Sequence, residues 1–464
     1  MPVESELVQR RRSALPGDEH DVRAPADVVR GIDAGASRLG LVNNFRELLP
    51  CCSLSSMTTF TRREMFRLAM ALPTIGVFTR LNPLVAADRN KVKITDIKAM
   101  QINRIAGNCL IKIETDAGIV GYGEAGMTGP MARARIATMK PLLVGKDPLA
   151  IEVHFQNMTS LMHTYMASIP TISGIDIALW DIAGKITGLP ISTLLGGPFR
   201  ESIRMYSHGR MNMLDKASCK AFADRVKGMP EGFNAFKNDI HPVLGIPSGR
   251  FTDTLDQAQL KTVARAYNNA REALGDDIEI AVHCHNEFNE PSAVGIAKAV
   301  ASMNPLFMED ALNPPWSEAW QSLRRQSPIP LLTGEKLEML RGFKPFIDNQ
   351  TVDILHPDLA FAGGFTGVRK IADYAYELKM PLALHNVGSL VLTFANAHFG
   401  SAIHNFYRSE SQLGETGYIE PMAASNPPEV RKSYLTVPTG PGLGFEINPD
   451  FLKKNLVAGE EYWG

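Results

Sequence analysis

The chain has 464 residues, of which 45% are hydrophobic and 21% charged, a composition typical of a globular protein with a large core. Its 48 basic and 49 acidic residues give a net charge of -1, which provides no global positive field for binding nucleic acid. Five cysteines without a CxxC pair argue against a disulfide framework or a zinc ribbon. The length predicts two domains, or one barrel with additions.

A segment that resembles a twin-arginine export signal precedes the predicted fold. Paired arginines lie in Thr61–Arg67, the apolar stretch Leu68–Phe78 follows, and small residues end at Ala87. This order predicts a signal peptide over 57–87 that is cleaved after Ala87, and therefore a periplasmic protein. A cytoplasmic protein with a basic leader is the alternative.

Two further features concern this N-terminal region. Met57 is a natural start, and residues 1–56 are interpreted as disordered or as an over-extended start. Pro73, Gly76 and Arg80 interrupt the apolar stretch, and we therefore expect no stable membrane anchor.

Residues 88–200 are predicted to form an α+β capping domain. Alternating apolar residues predict three strands, at Val92–Ala99, Asn108–Thr115 and Ile119–Glu124, with a hairpin turn at Asp116-Ala117-Gly118. Helical periodicity then predicts helices over Pro130–Val144, Ile151–Met166 and Ile172–Ile186.

Residues 201–420 show a repeat in which a polar residue follows each apolar run. The repeat is spaced by 26, 26, 23, 27 and 25 residues and comprises His283, Glu309, Glu335, Asp358, His385 and Glu410. This spacing accommodates one strand and one helix, which predicts parallel βαβ units. In a parallel barrel the carboxyl ends of the strands meet at one mouth, and we expect these side chains to converge there.

Three further segments complete this prediction. Ile203–Ser207 and Ala235–Lys237 are earlier strands that extend the series toward eight. His241–Asp256, rich in proline and glycine, predicts a long inserted loop. Residues 421–464 are expected to be a loop-like tail that packs on the barrel, the cap or a neighbouring subunit.

Longer motifs carry a resemblance to a known family. They are Ile111–Glu124, Gly174–Lys185, Leu195-Gly196-Gly197, Val352–Asp358 with Ala362–Thr366, and Ala383–Asn386. Together they resemble the enolase superfamily, in its mandelate racemase and muconate lactonizing enzyme branch, and within it the galactonate dehydratase-type sugar-acid dehydratases. The resemblance implies the α/β class, with a TIM-type (β/α)7β barrel and an N-terminal α+β capping domain.

The resemblance also implies a reaction and a metal. Members of the family remove the proton next to a carboxylate and stabilise the resulting enediolate with a divalent ion. By position Glu309 and Glu335 are metal ligands, and Mg²⁺ suits their oxygens. The third position, usually an aspartate, is His283, which favours Mn²⁺ or a softer divalent ion. Glu287 or Asp310 could substitute for the missing carboxylate, or the metal could be weak or absent.

Further roles are implied by the same resemblance. His385, paired with Asp358, corresponds to the base, and His285 to the general acid that protonates the leaving 3-hydroxyl. Glu410 corresponds to a carboxylate that helps to hold the enediolate oxygen.

Three residues are expected to contact substrate: Lys237, Asp239 and Glu124, the last at the start of the cap loop. Asp239 stands where racemases carry a second lysine, which favours dehydration over 1,1-proton transfer. The sequence thus predicts a hydro-lyase that converts a sugar acid to a 2-keto-3-deoxy acid. A racemase, epimerase or cycloisomerase and a non-catalytic periplasmic sugar-acid binder are the alternatives, and a homo-oligomer is expected.

Overall fold

The computed structural model describes residues 92–103, 105, 107–160, 168–247, 254–413 and 419–463. The predicted signal segment lies outside the described residues, as do residues 1–56 and the last part of the helix predicted over Ile151–Met166. Among the helices within the described ranges, none is both long and apolar enough to cross a bilayer.

The N-terminal part is an antiparallel sheet covered by helices, as the sequence predicts. Its strands pair in the order β1 (Ile94–Met100), β2 (Cys109–Thr115) and β3 (Val120–Ala125). Its helices are α1 (Gly129–Leu143), α2 (Ile151–Thr159) and α3 (Ile169–Thr187). Gly118, with φ of 73°, supplies the left-handed residue that the β2–β3 hairpin turn requires.

Helix α3 is the central element of the cap, because it packs on β3 and on the barrel. A Cβ atom at Gly123 would lie 1.9 Å from the carbonyl oxygen of Gly174, and only glycine allows this approach of strand and helix. From the same helix, Asp176 Oδ2 accepts a hydrogen bond of 3.0 Å from the backbone N–H of Thr366 in the barrel domain.

The barrel consists of eight parallel strands. They are β4 (Ser202–His208), β5 (Ala235–Asp239), β6 (Glu279–His283), β7 (Met308–Glu309), β8 (Leu331–Thr333), β9 (Ile354–Leu355), β10 (Leu382–Leu384) and β11 (Phe406–Glu410). Strand β11 closes the barrel on β4, with Ser409 opposite Met205. Tyr206 and Phe307 pack edge to face within the barrel, their centroids 5.7 Å apart. The predicted (β/α)7β barrel with an α+β cap is therefore confirmed.

Helices connect the strands and surround the barrel. They are α4 (Ile191–Leu194), α5 (Lys216–Lys227), α6 (His241–Leu244), α7 (Gln257–Leu274), α8 (Glu290–Val300), α9 (Glu318–Gln326), α10 (Met339–Asp348), α11 (Gly364–Glu377) and α12 (Leu390–Ala402), with a 3-10 turn at Ala301–Met303. The prediction of a continuous loop over His241–Asp256 is wrong at its start, where Pro242 occupies the first turn of α6. Asp256 ends the segment by capping α7.

The C-terminal tail contains short strands, which corrects the expectation of loop structure. Its elements are a 3-10 turn at Glu420–Met422, β12 (Ala423–Ser425), β13 (Val430–Arg431), β14 (Tyr434–Thr436), β15 (Glu446–Ile447) and α13 (Pro449–Lys454). Strand β14 pairs antiparallel with β4. Further along, the N–H of Leu443 donates to Asp181 of the cap, and Trp463 packs against Tyr122.

Candidate active site

The six polar residues of the repeat lie together at the barrel mouth. His283, Glu309 and Glu410 end strands β6, β7 and β11, and the other three, Glu335, Asp358 and His385, follow β8, β9 and β10 within three residues. Because parallel strands end on the same side of a barrel, this position brings all six side chains to one mouth. Five of them are buried, and Glu335 is only slightly exposed.

Three of these residues form a candidate metal site. His283 Nε2 lies 3.4 Å from Glu309 Oε1 and 3.8 Å from Glu335 Oε2, and one donor atom from each residue falls within 4.8 Å of the others. Within the described ranges, His283 Nε2 and Glu309 Oε2 are buried without a hydrogen-bond partner. Buried polar atoms are normally satisfied, so these unpaired donor atoms fit a divalent ion between them.

Asp239, at the end of β5, orients the imidazole of His283. The two side chains are joined by a hydrogen bond of 2.9 Å between His283 Nδ1 and Asp239 Oδ1. A carboxylate can only accept, so Nδ1 donates the proton, and Nε2 is the ring nitrogen that faces Glu309 and Glu335. Burial would raise the pKa of Asp239, but this hydrogen bond and the nearby imidazoles hold it well below its ordinary value.

The two carboxylates considered as substitutes for the missing aspartate have other surroundings. Asp310 Oδ1 accepts a hydrogen bond of 2.7 Å from the Thr333 hydroxyl, and Oδ2 lies 3.4 Å from Lys336 Nζ. Glu287 groups with His241 and not with the residues of the candidate metal site. The geometry therefore favours His283 as the third ligand.

Lys237 lies between two carboxylates of the mouth. Its Nζ is 2.9 Å from Glu309 Oε1 and 2.7 Å from Glu410 Oε1, and its side chain is 1% exposed. Burial lowers the pKa of this ammonium, but the surrounding carboxylates outweigh burial and raise it above its ordinary value. Lys237 thus forms a double ion pair and Asp239 a hydrogen bond with His283, and the substrate contacts expected of both residues stay predictions.

His385 has the geometry of an oriented base. Its Nδ1 lies 2.5 Å from Asp358 Oδ2, and its Nε2 lies 3.2 Å from Glu335 and 3.6 Å from Glu410. Burial lowers the pKa of this imidazole, but the three carboxylates outweigh burial and raise it to about 10. In this charge environment the three carboxylates, Glu335 and Glu410 before Asp358, favour the protonated form of His385.

His285 stacks on His283, with ring centroids 3.6 Å apart. Its backbone adopts a left-handed φ of 51°, and Lys336 Nζ donates to its carbonyl oxygen at 3.2 Å. Burial, followed by the neighbouring His283, lowers the pKa of His285 to about 3. The imidazole is therefore neutral near pH 7 in this charge environment.

Glu124 lies where the cap meets the barrel. Its carboxylate is fully buried and accepts hydrogen bonds from the Ser389 hydroxyl at 2.6 Å and from Asn108 Nδ2 at 2.8 Å. Burial raises the pKa of Glu124 above its ordinary value despite these donors. These contacts connect β3 with the loop after β10, and the substrate contact expected of Glu124 stays a prediction.

Two histidines at the mouth were given no chemical role from the sequence. His208 Nε2 lies 2.8 Å from Glu410 Oε1, and His356 Nε2 lies 3.4 Å from Glu309 Oε1. His208 ends β4, so extending the strand-end repeat back to the first barrel strand would have located it.

Comparison with protein families shows the family to which this chain belongs. Residues 86–196 match the mandelate racemase / muconate lactonizing enzyme N-terminal domain, and residues 221–451 match the enolase C-terminal domain-like family. The chain belongs to this branch of the enolase superfamily, which confirms the resemblance seen in the motifs.

Similar proteins include enzymes of known activity. The chain is 31% identical over 381 residues to D-xylonate dehydratase of Haloferax volcanii, a match that covers 80% of this chain and 92% of the relative. It is 31% identical over 375 residues to D-galactarolactone cycloisomerase of Agrobacterium fabrum, with coverages of 76% and 92%. A mandelate racemase/muconate lactonizing enzyme-like protein from Rubrobacter xylanophilus superposes with a TM-score of 0.73, at 26% identity, and the match covers 80% of this chain and 99% of that structure. The chain is an enzyme of this superfamily, and its dehydratase relatives indicate a hydro-lyase.

Proposed function

We propose that this chain is a metal-dependent dehydratase of sugar acids that produces a 2-keto-3-deoxy acid. The observation that carries the proposal is the oriented His385–Asp358 pair beside the group formed by His283, Glu309 and Glu335. Similarity to D-xylonate dehydratase supports dehydration as the reaction.

His385 is the base in this proposal. Asp358 fixes its tautomer and stabilises the imidazolium that forms when Nε2 takes the proton next to the substrate carboxylate. A divalent ion held by His283, Glu309 and Glu335 would supply positive charge for the developing negative charge on the substrate, and would offset the charge of Glu335 that raises the pKa of His385. We propose Mg²⁺ or Mn²⁺, because two ligands are carboxylates and the third is an imidazole.

The second half of the reaction is loss of the 3-hydroxyl. The carbon–oxygen bond breaks as the electrons of the former carbon–hydrogen bond form the enol, and the hydroxyl leaves as water after taking a proton. His285, stacked beside His283, is proposed to deliver that proton. Its low pKa in the present charge environment implies that it is loaded with a proton only when bound substrate changes that environment. The enol then tautomerises to the keto product.

Cycloisomerisation is the second candidate, because the relative from Agrobacterium fabrum has that activity. Both reactions begin with removal of a proton next to a carboxylate, so His385 would serve either. They differ in whether water is lost from an acyclic acid.

The test is to measure metal content and then product formation. Chelator-treated protein would be loaded with Mg²⁺ or Mn²⁺ and incubated with a panel of aldonic acids, and the 2-keto product would be followed by carbonyl derivatisation. We expect turnover that needs metal and disappears in H385N. Absence of product with every acid at full metal loading would contradict the proposal, and solvent-deuterium exchange without water loss would favour the second candidate.

A further inference from the structure

A second group of donor side chains lies beside the candidate metal site and shares no residue with it. His241 is in the one-turn helix α6 after β5, and His285 and Glu287 are in the turn after β6. One donor atom from each of the three lies within 4.8 Å of the others. Two imidazoles and one carboxylate are a donor set that binds zinc in proteins.

The two imidazoles of this group have nitrogen atoms available for a ligand. Their ring centroids are 5.6 Å apart and the rings are inclined at 64°. In the part of the chain covered by the structure, Nδ1 of His241 and Nδ1 of His285 are both buried without a hydrogen-bond partner. Since burying an unpaired polar atom costs about 1 to 3 kcal/mol, two such atoms in one cluster point to a bound group.

The backbone holds His285 in the position that forms this cluster. His285 and Asn286 both have positive φ, at 51° and 63°, which is unfavourable for residues with a side chain. Lys336 Nζ donates to the carbonyl of His285 at 3.2 Å and to Asn286 Oδ1 at 2.5 Å, and it therefore secures the turn.

A third grouping, of Asp239 with His283 and His285, is not an independent site. The oxygen of Asp239 that lies 3.9 Å from His285 Nδ1 already accepts the hydrogen bond from His283. Asp239 is therefore already used by His283, and two independent sets of donors remain: His283 with Glu309 and Glu335, and His241 with His285 and Glu287.

We propose that His241, His285 and Glu287 bind a second divalent ion of the borderline class, such as Zn²⁺ or Co²⁺. Two neutral imidazoles and a single carboxylate suit such ions better than Mg²⁺, which prefers oxygen ligands. Coordination would use the same imidazole that delivers a proton in the proposed dehydration, so binding of this ion and turnover exclude one another. Occupation of the second site is therefore expected to inhibit the enzyme.

Zinc binding to the full chain without substrate tests the proposal independently of any activity. Chelator-treated protein would be dialysed against Zn²⁺, and the retained ions counted by elemental analysis, with the heats of binding measured by calorimetry. We expect wild type to retain one ion more than either H241A or H241Q. E335Q should lose the other ion and keep the one at His241. H404A, which removes an imidazole exposed at the surface far along the chain, is the matched control and should retain the wild-type number.

Circular dichroism would establish that each variant is folded before the ions are counted. Equal zinc content in wild type and in the folded His241 variants would overturn the proposal. The same result in a protein that still dehydrates sugar acids with Mg²⁺ would leave the proposed function intact. Conversely, loss of one zinc ion in the His241 variants would support the second site even if no sugar acid is a substrate.

Discussion

Glu309 and Glu335 at the barrel mouth differ in the direction of their pKa shift from Glu124 and Asp176, which lie where the cap meets the barrel. At the barrel mouth, burial raises the pKa of Glu309 and Glu335, but His283, His385 and neighbouring lysines outweigh burial and hold both values below the ordinary range. Where the cap meets the barrel, Glu124 and Asp176 are also buried, and their pKa values are raised.

The difference lies in the partners of the carboxylates and not in their burial. The donors to Glu124 are a serine and an asparagine, and the donors to Asp176 are the hydroxyl and the backbone N–H of Thr366. Neutral donors only partly replace water, whereas a cation compensates a buried charge. Glu309 and Glu335 thus stay ionised in the interior, which is the condition for holding a metal ion, while the pKa values of Glu124 and Asp176 are shifted toward the protonated form.

Removing the Lys237 ammonium should raise the pKa values of the carboxylates beside it, as burial does for Glu124 and Asp176. K237M leaves Glu309 and Glu410 without their shared ammonium, and we expect a loss of about 3 to 5 kcal/mol in the free energy of unfolding. Denaturant unfolding measures this loss, and added Mg²⁺ or Mn²⁺ should recover part of it through binding to the folded state. K344M, at an exposed lysine, is the control. If K237M were as stable as K344M, the Lys237 ammonium would not be needed to compensate the buried charges of Glu309 and Glu410.

Replacing the proposed base His385 should lower kcat without changing the affinity for the metal ion. H385N is expected to lower kcat by about 10²- to 10⁴-fold because general-base catalysis is lost. Its metal affinity, measured by calorimetry, should stay close to that of wild type, since the proposed ligands are intact. A large loss of metal affinity with kcat unchanged would reverse the roles assigned here to His385 and His283.

Replacing Asp239, the carboxylate that orients His283, should lower metal affinity more than it affects His385 as a base. D239N replaces the acceptor of the Nδ1 proton by an amide, and we expect metal affinity to fall by about 10- to 100-fold. H283D, which introduces the carboxylate usual in the family, should shift the preference toward Mg²⁺ over Mn²⁺. Binding titrations with both ions measure the two effects, and an unchanged D239N affinity would argue against ligation by His283.

The last prediction concerns the pH dependence of stability that arises from Asp176, where the cap meets the barrel. Burial, only partly offset by Thr366, raises the pKa of Asp176 from its ordinary value of 3.8 to about 7. A raised pKa means that the folded state binds the proton more tightly, so the stabilisation is complete below about pH 4 and is lost as pH rises toward 7.

D176N keeps a neutral acceptor at this position and should remove that dependence. The stability of wild type relative to D176N should therefore fall between pH 4 and 7, by about 1.4 kcal/mol per pH unit at most. Denaturant midpoints of wild type and D176N at several pH values measure the difference in their stability. Other titrating groups contribute equally to both proteins and do not affect this difference. Equal pH dependence would show that the first turn of α11, whose N–H groups favour an anion, keeps Asp176 ionised.

Much of the fold follows from the sequence because strand ends in a parallel barrel have a fixed direction. The regular spacing from His283 to Glu410 was sufficient to predict one mouth, and the alternation before Asp116 was sufficient to predict the cap hairpin. The spacing of residues predicts which of them lie at the carboxyl ends of the strands. It does not predict their rotamers or their hydrogen-bond partners. The bond between Asp239 and His283 and the ion pairs of Lys237 therefore appear only in the structure.

Other elements of the fold could not be predicted, because they form through contacts between residues far apart in the sequence or lack a clear local pattern. The pairing of β14 with β4 joins residues more than two hundred positions apart, and a strand of three residues has too weak a pattern to predict. The turn of helix α6 lies in a segment whose prolines and glycine indicated a loop. As a result His241, which approaches His285 from that turn, could not be assigned to the mouth from the sequence.

The contacts of the C-terminal tail have a consequence for synthesis of the chain. Tyr122 of the cap packs against Trp463, the next-to-last residue, and Asp181 accepts from Leu443. At translation rates of about 5 to 20 residues per second, the ribosome needs on the order of tens of seconds to pass from the first aromatic residue to the second. During that interval the emerging cap lacks its final contacts. Nascent chains of this protein therefore offer chaperones a surface that the finished molecule covers.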